Sequence, residues 1–136
     1  MSVPSLSRDQ KRRMKSASRL YAVQALFQME ATSNPIDAVL KEFEDYRMGG
    51  ELDGAELEEG DVSHFRRVVA GAVNNQGRID QMTDRALVAK WPIARIDPTL
   101  RALFRAAGAE MVEGDTPAKV ASVEYVEVAL AFFPDG

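Results

Sequence analysis

The chain has no cysteine and a single histidine, His64, in 136 residues. The first absence excludes a disulfide scaffold, thiolate catalysis and cysteine-ligated zinc; the second leaves too few imidazole ligands for a metal cluster. His64 stands beside Asp61 near an expected helix start, where a capping or surface role is the expectation. Glu124 and Glu127 resemble half of a carboxylate-bridged metal motif, but the Glu-x-x-His pairs that complete such a site are missing. So are a glycine-rich phosphate loop and a G-x-S-x-G elbow. No apolar run approaches the roughly 20 residues of a membrane span, and no apolar core follows the N-terminal cations as in a secretory signal. The expectation is therefore no catalytic residues, no metal, no cofactor, no membrane, and a cytoplasmic location.

What is present is charge, unevenly placed. Hydrophobic residues make up 46% and charged residues 28%, which suits one globular domain over residues 1–136 with 1–7 as a loose tail. The net charge is −4, which alone argues against a polyanionic partner. The distribution reverses that argument. From Asp37 to Asp61 ten acids stand against Lys41 and Arg47, whereas Arg8 to Arg19 carries six bases and one acid, Asp9.

The stretch Arg8 to Glu30 organises the rest. Ser7 and Gln10 fit a capping box, so a helix is expected from about Arg8. Arg8, Lys11, Arg12, Lys15 and Arg19 then share one side of a 3.6-residue helix, with Arg13 beside them. Such a stripe is either a solvated face or a ridge that meets a polyanion. The near absence of interleaved acids favours the second, because unneutralised like charges repel. Nucleic acid is the commonest polyanion, and the candidate residues for binding it are Arg8, Lys11, Arg12, Arg13, Lys15 and Arg19. Leu20, Val23 and Phe27 give the second half of the helix a face to bury, and Tyr21 either stacks on a base or joins the core.

Further helices follow from start and stop signals. Asn34 and Pro35 are expected to cap and open a second helix with Ile36, Val39, Leu40 and Phe43 inside, ending before Gly49-Gly50. Glu51 to Gly60 reads as an exposed, mobile acidic loop. A core helix starts at Asp61 or Ser63, is interrupted at Asn74-Asn75 and Gly77, and resumes to Lys90 before the Trp91-Pro92 turn. Asp97-Pro98 starts a helix that buries Leu100, Leu103, Phe104, Ala107 and Met111 and stops at Gly114. Thr116-Pro117 starts the last, which runs from Val120 to Phe133, stops at Pro134, and is apolar nearly all round, so a central position is expected. No segment shows strand alternation. Gly71 and Gly108 suit close helix approach, and Glu110 suits a buried acid held by an ion pair or a backbone partner rather than a catalytic one, as does Glu124. The fold expected is all-α, about six helices in two antiparallel subdomains.

Four segments together resemble the NusB family of transcription antitermination factors. They are Arg19 to Phe27; Phe65 to Val73 with Ile79-Asp80; Leu103 to Met111; and Pro117 to Val120 running into Glu124, Val126, Glu127 and Phe132. The resemblance implies an RNA-binding factor that reads the boxA element of ribosomal RNA leaders, pairs with NusE, a ribosomal small-subunit protein, and joins the RNA polymerase antitermination complex. It also implies that the arginine-rich start of the first helix lies on the RNA. Lys15 and Arg19 match basic family positions, whereas Ser16 and Ala17 stand where many members have arginines, and Val123 and Leu130 replace the usual Asn and Lys. The family continues with a Phe-Val-Asn-containing helix that this sequence does not include; if it is absent, an open apolar groove that favours self-association is expected. Monomer and homodimer both remain open. Two other classes are an interaction module whose acidic segment recruits a basic partner, and the accessory domain found in ribosomal RNA cytosine methyltransferases.

Overall fold

The computed structural model describes residues 7–47, 51–52, 55–56, 60–86, 97–113 and 116–132, with the side chains of residues 46, 47, 51, 52, 55, 56 and 86 left undescribed. Among the described residues six α-helices follow one another: α1 (Arg8–Thr32), α2 (Ile36–Glu42), α3 (Val62–Asn74), α4 (Gln76–Ala86), α5 (Pro98–Glu113) and α6 (Ala118–Phe132). A π-helical turn, Phe43–Arg47, prolongs α2. The expected tail before Ser7, the Gly49-Gly50, Gly114 and Pro134 stops, the helix end at Lys90 and the Trp91-Pro92 turn lie outside the described residues.

Local chemistry explains the helix ends. Ser7 Oγ accepts from the Gln10 amide at 3.1 Å and the Ser7 amide donates to Gln10 Oε1 at 2.8 Å, a complete capping box. Asp61 Oδ1 accepts from the His64 amide at 3.0 Å, and Asp97 Oδ1 from the Thr99 amide at 2.8 Å. The α3–α4 break falls at Asn75, whose Nδ2 donates to the Gly71 carbonyl at 2.9 Å and to Glu113 Oε1 at 3.0 Å. α1 runs two residues past the expected Glu30 and stops at Ser33, which takes a left-handed φ of 60°. The second helix starts differently from the expectation: Pro35 rather than Asn34 is the cap, and its hydrocarbon ring has no acceptor with which to make a side-chain cap bond. The stretch expected as a loop carries a two-residue antiparallel ladder, Glu51–Leu52 against Ala55–Glu56, too short for any alternation to announce it.

α1 and α5 run through the centre of the molecule. α1 packs on α2, α3, α5 and α6, and α5 packs on α3, α4 and α6 as well. Ala22, Val23, Phe65, Val69, Ala72, Ile79, Ala106, Ala109 and Ala121 belong to one continuous core cluster. Small residues on α5 and α3 allow close contact: a Cβ at Gly108 of α5 would lie 2.5 Å from Ile79 Cγ2, and one at Gly71 of α3 would lie 3.2 Å from Glu113 Cγ. Two faces differ from expectation. α5 buries Ala102, Leu103, Ala106, Ala109 and Glu110, leaving Met111 39% exposed. α6 lies at the edge, not the centre: Ala121, Tyr125 and Val128 are buried, whereas Val123 and Val126 are 58% and 59% exposed. Among the described elements α1 and α5 flank it, so an apolar circumference does not by itself set a helix in the middle.

Candidate nucleic-acid interface

The cationic residues of α1 divide at the point where the helix enters the core. Arg8, Lys11, Arg12, Arg13 and Lys15 are exposed; from Ala17 onward buried side chains begin. Among the described residues no carboxylate stands within ion-pair distance of Arg8, Lys11, Arg13 or Lys15, and Arg12 Nε lies a loose 3.9 Å from Glu124 Oε1. Five cations thus project from about two turns of helix, with Asp9 as the one acid among them.

Arg19 is placed elsewhere. It shares their angular side but is only 4% exposed, and its guanidinium is engaged below the surface. Nε and Nη2 donate to Glu110 Oε2 and Oε1 at 2.8 and 3.1 Å, a two-pronged pair, and Nη1 lies 3.5 Å from Glu124 Oε2. Arg19, expected with the other five as an RNA contact, thus sits deeper than they do and braces Glu110 and Glu124 from within: burial follows depth along the helix, which angle alone does not report. Burial would raise the Glu110 carboxyl, but hydrogen bonds from His64 and Arg19 outweigh it and hold the group well below the usual carboxylate range. His64 Nε2 is 2.7 Å from Glu110 Oε1, and Thr116 Oγ1 donates to the same oxygen at 2.8 Å. The buried Tyr125 hydroxyl lies beside this carboxylate without a partner in hydrogen-bond geometry, and desolvation with the Glu110 charge pushes its pKa well above the ordinary phenol value.

His64, expected at the surface, is 3% exposed and belongs to this network; its backbone is capped by Asp61 while its ring turns inward. Tyr21 is core, edge-on to Phe43 with ring centroids 6.5 Å apart, so it offers no platform for a base. Phe27, expected inside, is 40% exposed on a groove shared with Phe43 and Phe132. In the acidic segment Glu44 is bound by Arg66 and Glu42 accepts from Gln28 at 2.8 Å.

The cations of α1 face the first turns of α6 across a shallow groove. Arg8, Lys11, Arg12, Lys15 and the deeper Arg19 line one wall; Thr116, Pro117, Val120 and Glu124 line the other. Sequence reasoning singles out Glu124 as a buried acid but gives no sign that α6 borders the cationic face, because nothing local ties the two segments. Ser16 stands out in the sequence only by its lack of charge; its Oγ donates to Glu124 Oε2 at 3.0 Å and ties α1 to α6. Among the described residues no group of three or more His, Asp or Glu side chains is placed to hold a metal ion, and no helix is long and apolar enough to cross a membrane.

A family model described as the NusB family matches residues 16–135, so five of the six sequence-predicted cations precede the matched span. The transcription antitermination protein NusB of Brucella melitensis biotype 1 is 41% identical over 133 residues, covering 97% of this chain and 77% of that protein. The protein of the same description from Sinorhizobium fredii is 43% identical over 122 residues, covering 89% of this chain and 76% of its own length. Among solved structures, a crystal structure of antitermination factors NusB and NusE in complex with dsRNA superposes with a TM-score of 0.67 at 16% identity, covering 88% of this chain and 83% of that one. That level of identity speaks for a shared fold.

Proposed function

Because this chain belongs to the NusB family, we propose that it is a non-catalytic transcription antitermination factor of the cytoplasm. In this reading it binds single-stranded boxA leader RNA through the start of α1 and acts with NusE on elongating RNA polymerase. The observation that carries the reading is the set of four exposed side chains, Arg8, Lys11, Arg13 and Lys15, that no internal carboxylate neutralises among the described residues. A phosphate backbone supplies the missing counter-charge, and its binding releases condensed cations. The fold presents this cluster on a rigid helix, which preserves the spacing of the contacts. The most deeply buried acid among the described residues, Glu110, is saturated by Arg19, His64 and Thr116, which suits support and not proton transfer.

Titration of a fluorescent boxA oligonucleotide across a range of salt concentrations tests the reading. Each phosphate neutralised contributes a log–log slope of roughly −0.7 on a single strand. Reversing Lys11 and Lys15 to glutamate is expected to weaken binding and to flatten that slope by at least the two lost contacts. Unchanged affinity and slope would remove the α1 face from the RNA site.

A further inference from the structure

The groove beside the cations holds one acid. Glu124 Oε2 is occupied, by Ser16 Oγ at 3.0 Å and by the Arg19 guanidinium at 3.5 Å. Oε1 accepts no hydrogen bond among the described residues, and Arg12 Nε lies a loose 3.9 Å away. The side chain is 12% exposed and opens on the groove, where Pro117 and the 45% exposed Val120 add an apolar wall. A carboxylate set among phosphate-binding cations repels every RNA alike unless the ligand brings a donor to it. It then rewards that ligand and penalises others, which is how an acid yields selectivity.

Resting on the RNA reading above, we propose that this groove holds one nucleobase and that Glu124 Oε1 accepts a hydrogen bond from its exocyclic amine. The site thereby selects a base that carries an exocyclic amine, cytosine, adenine or guanine, over uracil, which has none. The base lies against Pro117 and Val120 while its flanking phosphates meet Lys11, Arg12 and Lys15. Unstacked bases in single-stranded RNA are read along such edges, and a carboxylate accepting from cytosine N4 is a favourable pairing. Uracil presents O4 at the same place, where two acceptors face each other. Arg19 underneath and Ser16 alongside fix the carboxylate, so Oε1 keeps its aim without the ligand.

Fluorescence anisotropy with oligocytidine and oligouridine of equal length tests the proposal, because the two share backbone charge and ring size. The wild-type protein is expected to prefer oligocytidine roughly tenfold. Glu124→Ala should bring the ratio close to one while leaving the salt slope, which counts phosphates, unchanged. Glu124→Gln is the sharper variant and preserves side-chain volume. Its amide oxygen takes the two donors, Ser16 and Arg19, and turns the NH2 to the groove, so the preference should invert toward uracil O4. Thermal melts establish that each variant is folded, and if Glu124→Ala is not, the isosteric variant alone decides. No preference in the wild type, a preference that survives both substitutions, or an equal gain for both RNAs would overturn the proposal, the last marking Glu124 as a mere repulsive charge. Wild-type protein that binds neither RNA would instead overturn the RNA reading on which the proposal rests.

Discussion

Lys15 and Arg19 sit one turn apart on α1 and occupy different surroundings, the first in solvent and the second under the surface against Glu110 and Glu124. Arg19→Ala therefore leaves a buried carboxylate uncompensated and is expected to cost about 3–5 kcal/mol in urea unfolding, whereas Lys15→Glu should leave the midpoint nearly unchanged. The network also carries a pH signature. Glu110 titrates below its unfolded value of about 4.3, so the unfolded chain takes up protons that the folded one refuses. The stabilisation is complete above that value and is lost as pH falls through the acid range toward the folded pKa. Glu110→Gln should thus be less stable than wild type at neutral pH, and the gap should narrow below about pH 4; a constant gap from neutral to acid would detach Glu110 from acid stability. That Glu110 is a buried, structurally partnered acid was legible from its place among small apolar residues. Its partner was not, because Arg19 follows the same spacing as the surface cations, and only the third dimension separates them.

At the scale of an element, the capped starts of α1, α3 and α5 were legible, and so was α3 as a core helix, whereas the covered faces of α5 and α6 were not. Ser7 with Gln10, Asp61, and Asp97 before Pro98 act on amides two or three residues away, so sequence alone carries the whole interaction. Which side of α5 or α6 is covered depends on neighbours distant in the chain, and alanines on α5 read as filler until α1 and α3 are placed against them. The glycines give this a measurable form. Gly108→Ala forces a methyl against Ile79 Cγ2 and is expected to destabilise by about 1–3 kcal/mol through overpacking. Gly77, inside α4, has nothing within 4 Å of the place a methyl group would take, and it should behave oppositely. Replacing it by alanine removes unfolded-state freedom and should raise stability by about 0.4–1 kcal/mol. Urea unfolding of the two variants with equal or same-sign shifts would contradict the close α4–α5 contact as the reason for Gly108.

For the molecule as a whole, segregation of charge matters more than its sum. A net charge of −4 coexists with a cationic helix start because the acids cluster later in the chain, and that division was readable from order alone. What order could not show is how many cooperative units the helices make. The α1 residues Ala22 and Val23, Phe43 beyond α2, Phe65 and Val69 of α3, Ile79 of α4, Ala106 of α5 and Ala121 of α6 belong to one core cluster. The Arg19–Glu110 pair spans α1 and α5, and Arg105 of α5 reaches both Glu30 of α1 and Asp80 of α4, at 3.0 and 2.9 Å. Helices sharing core and ion pairs in this way cannot shed half of their contacts without stranding buried charge on the other half. A single transition is expected, with backbone and side-chain circular dichroism changing together across a urea series. Separate midpoints for the two signals, or a plateau between them, would show that the helical groups unfold independently. In that event Arg19→Ala would shift only one of the two midpoints, which identifies the group that the buried pair holds together.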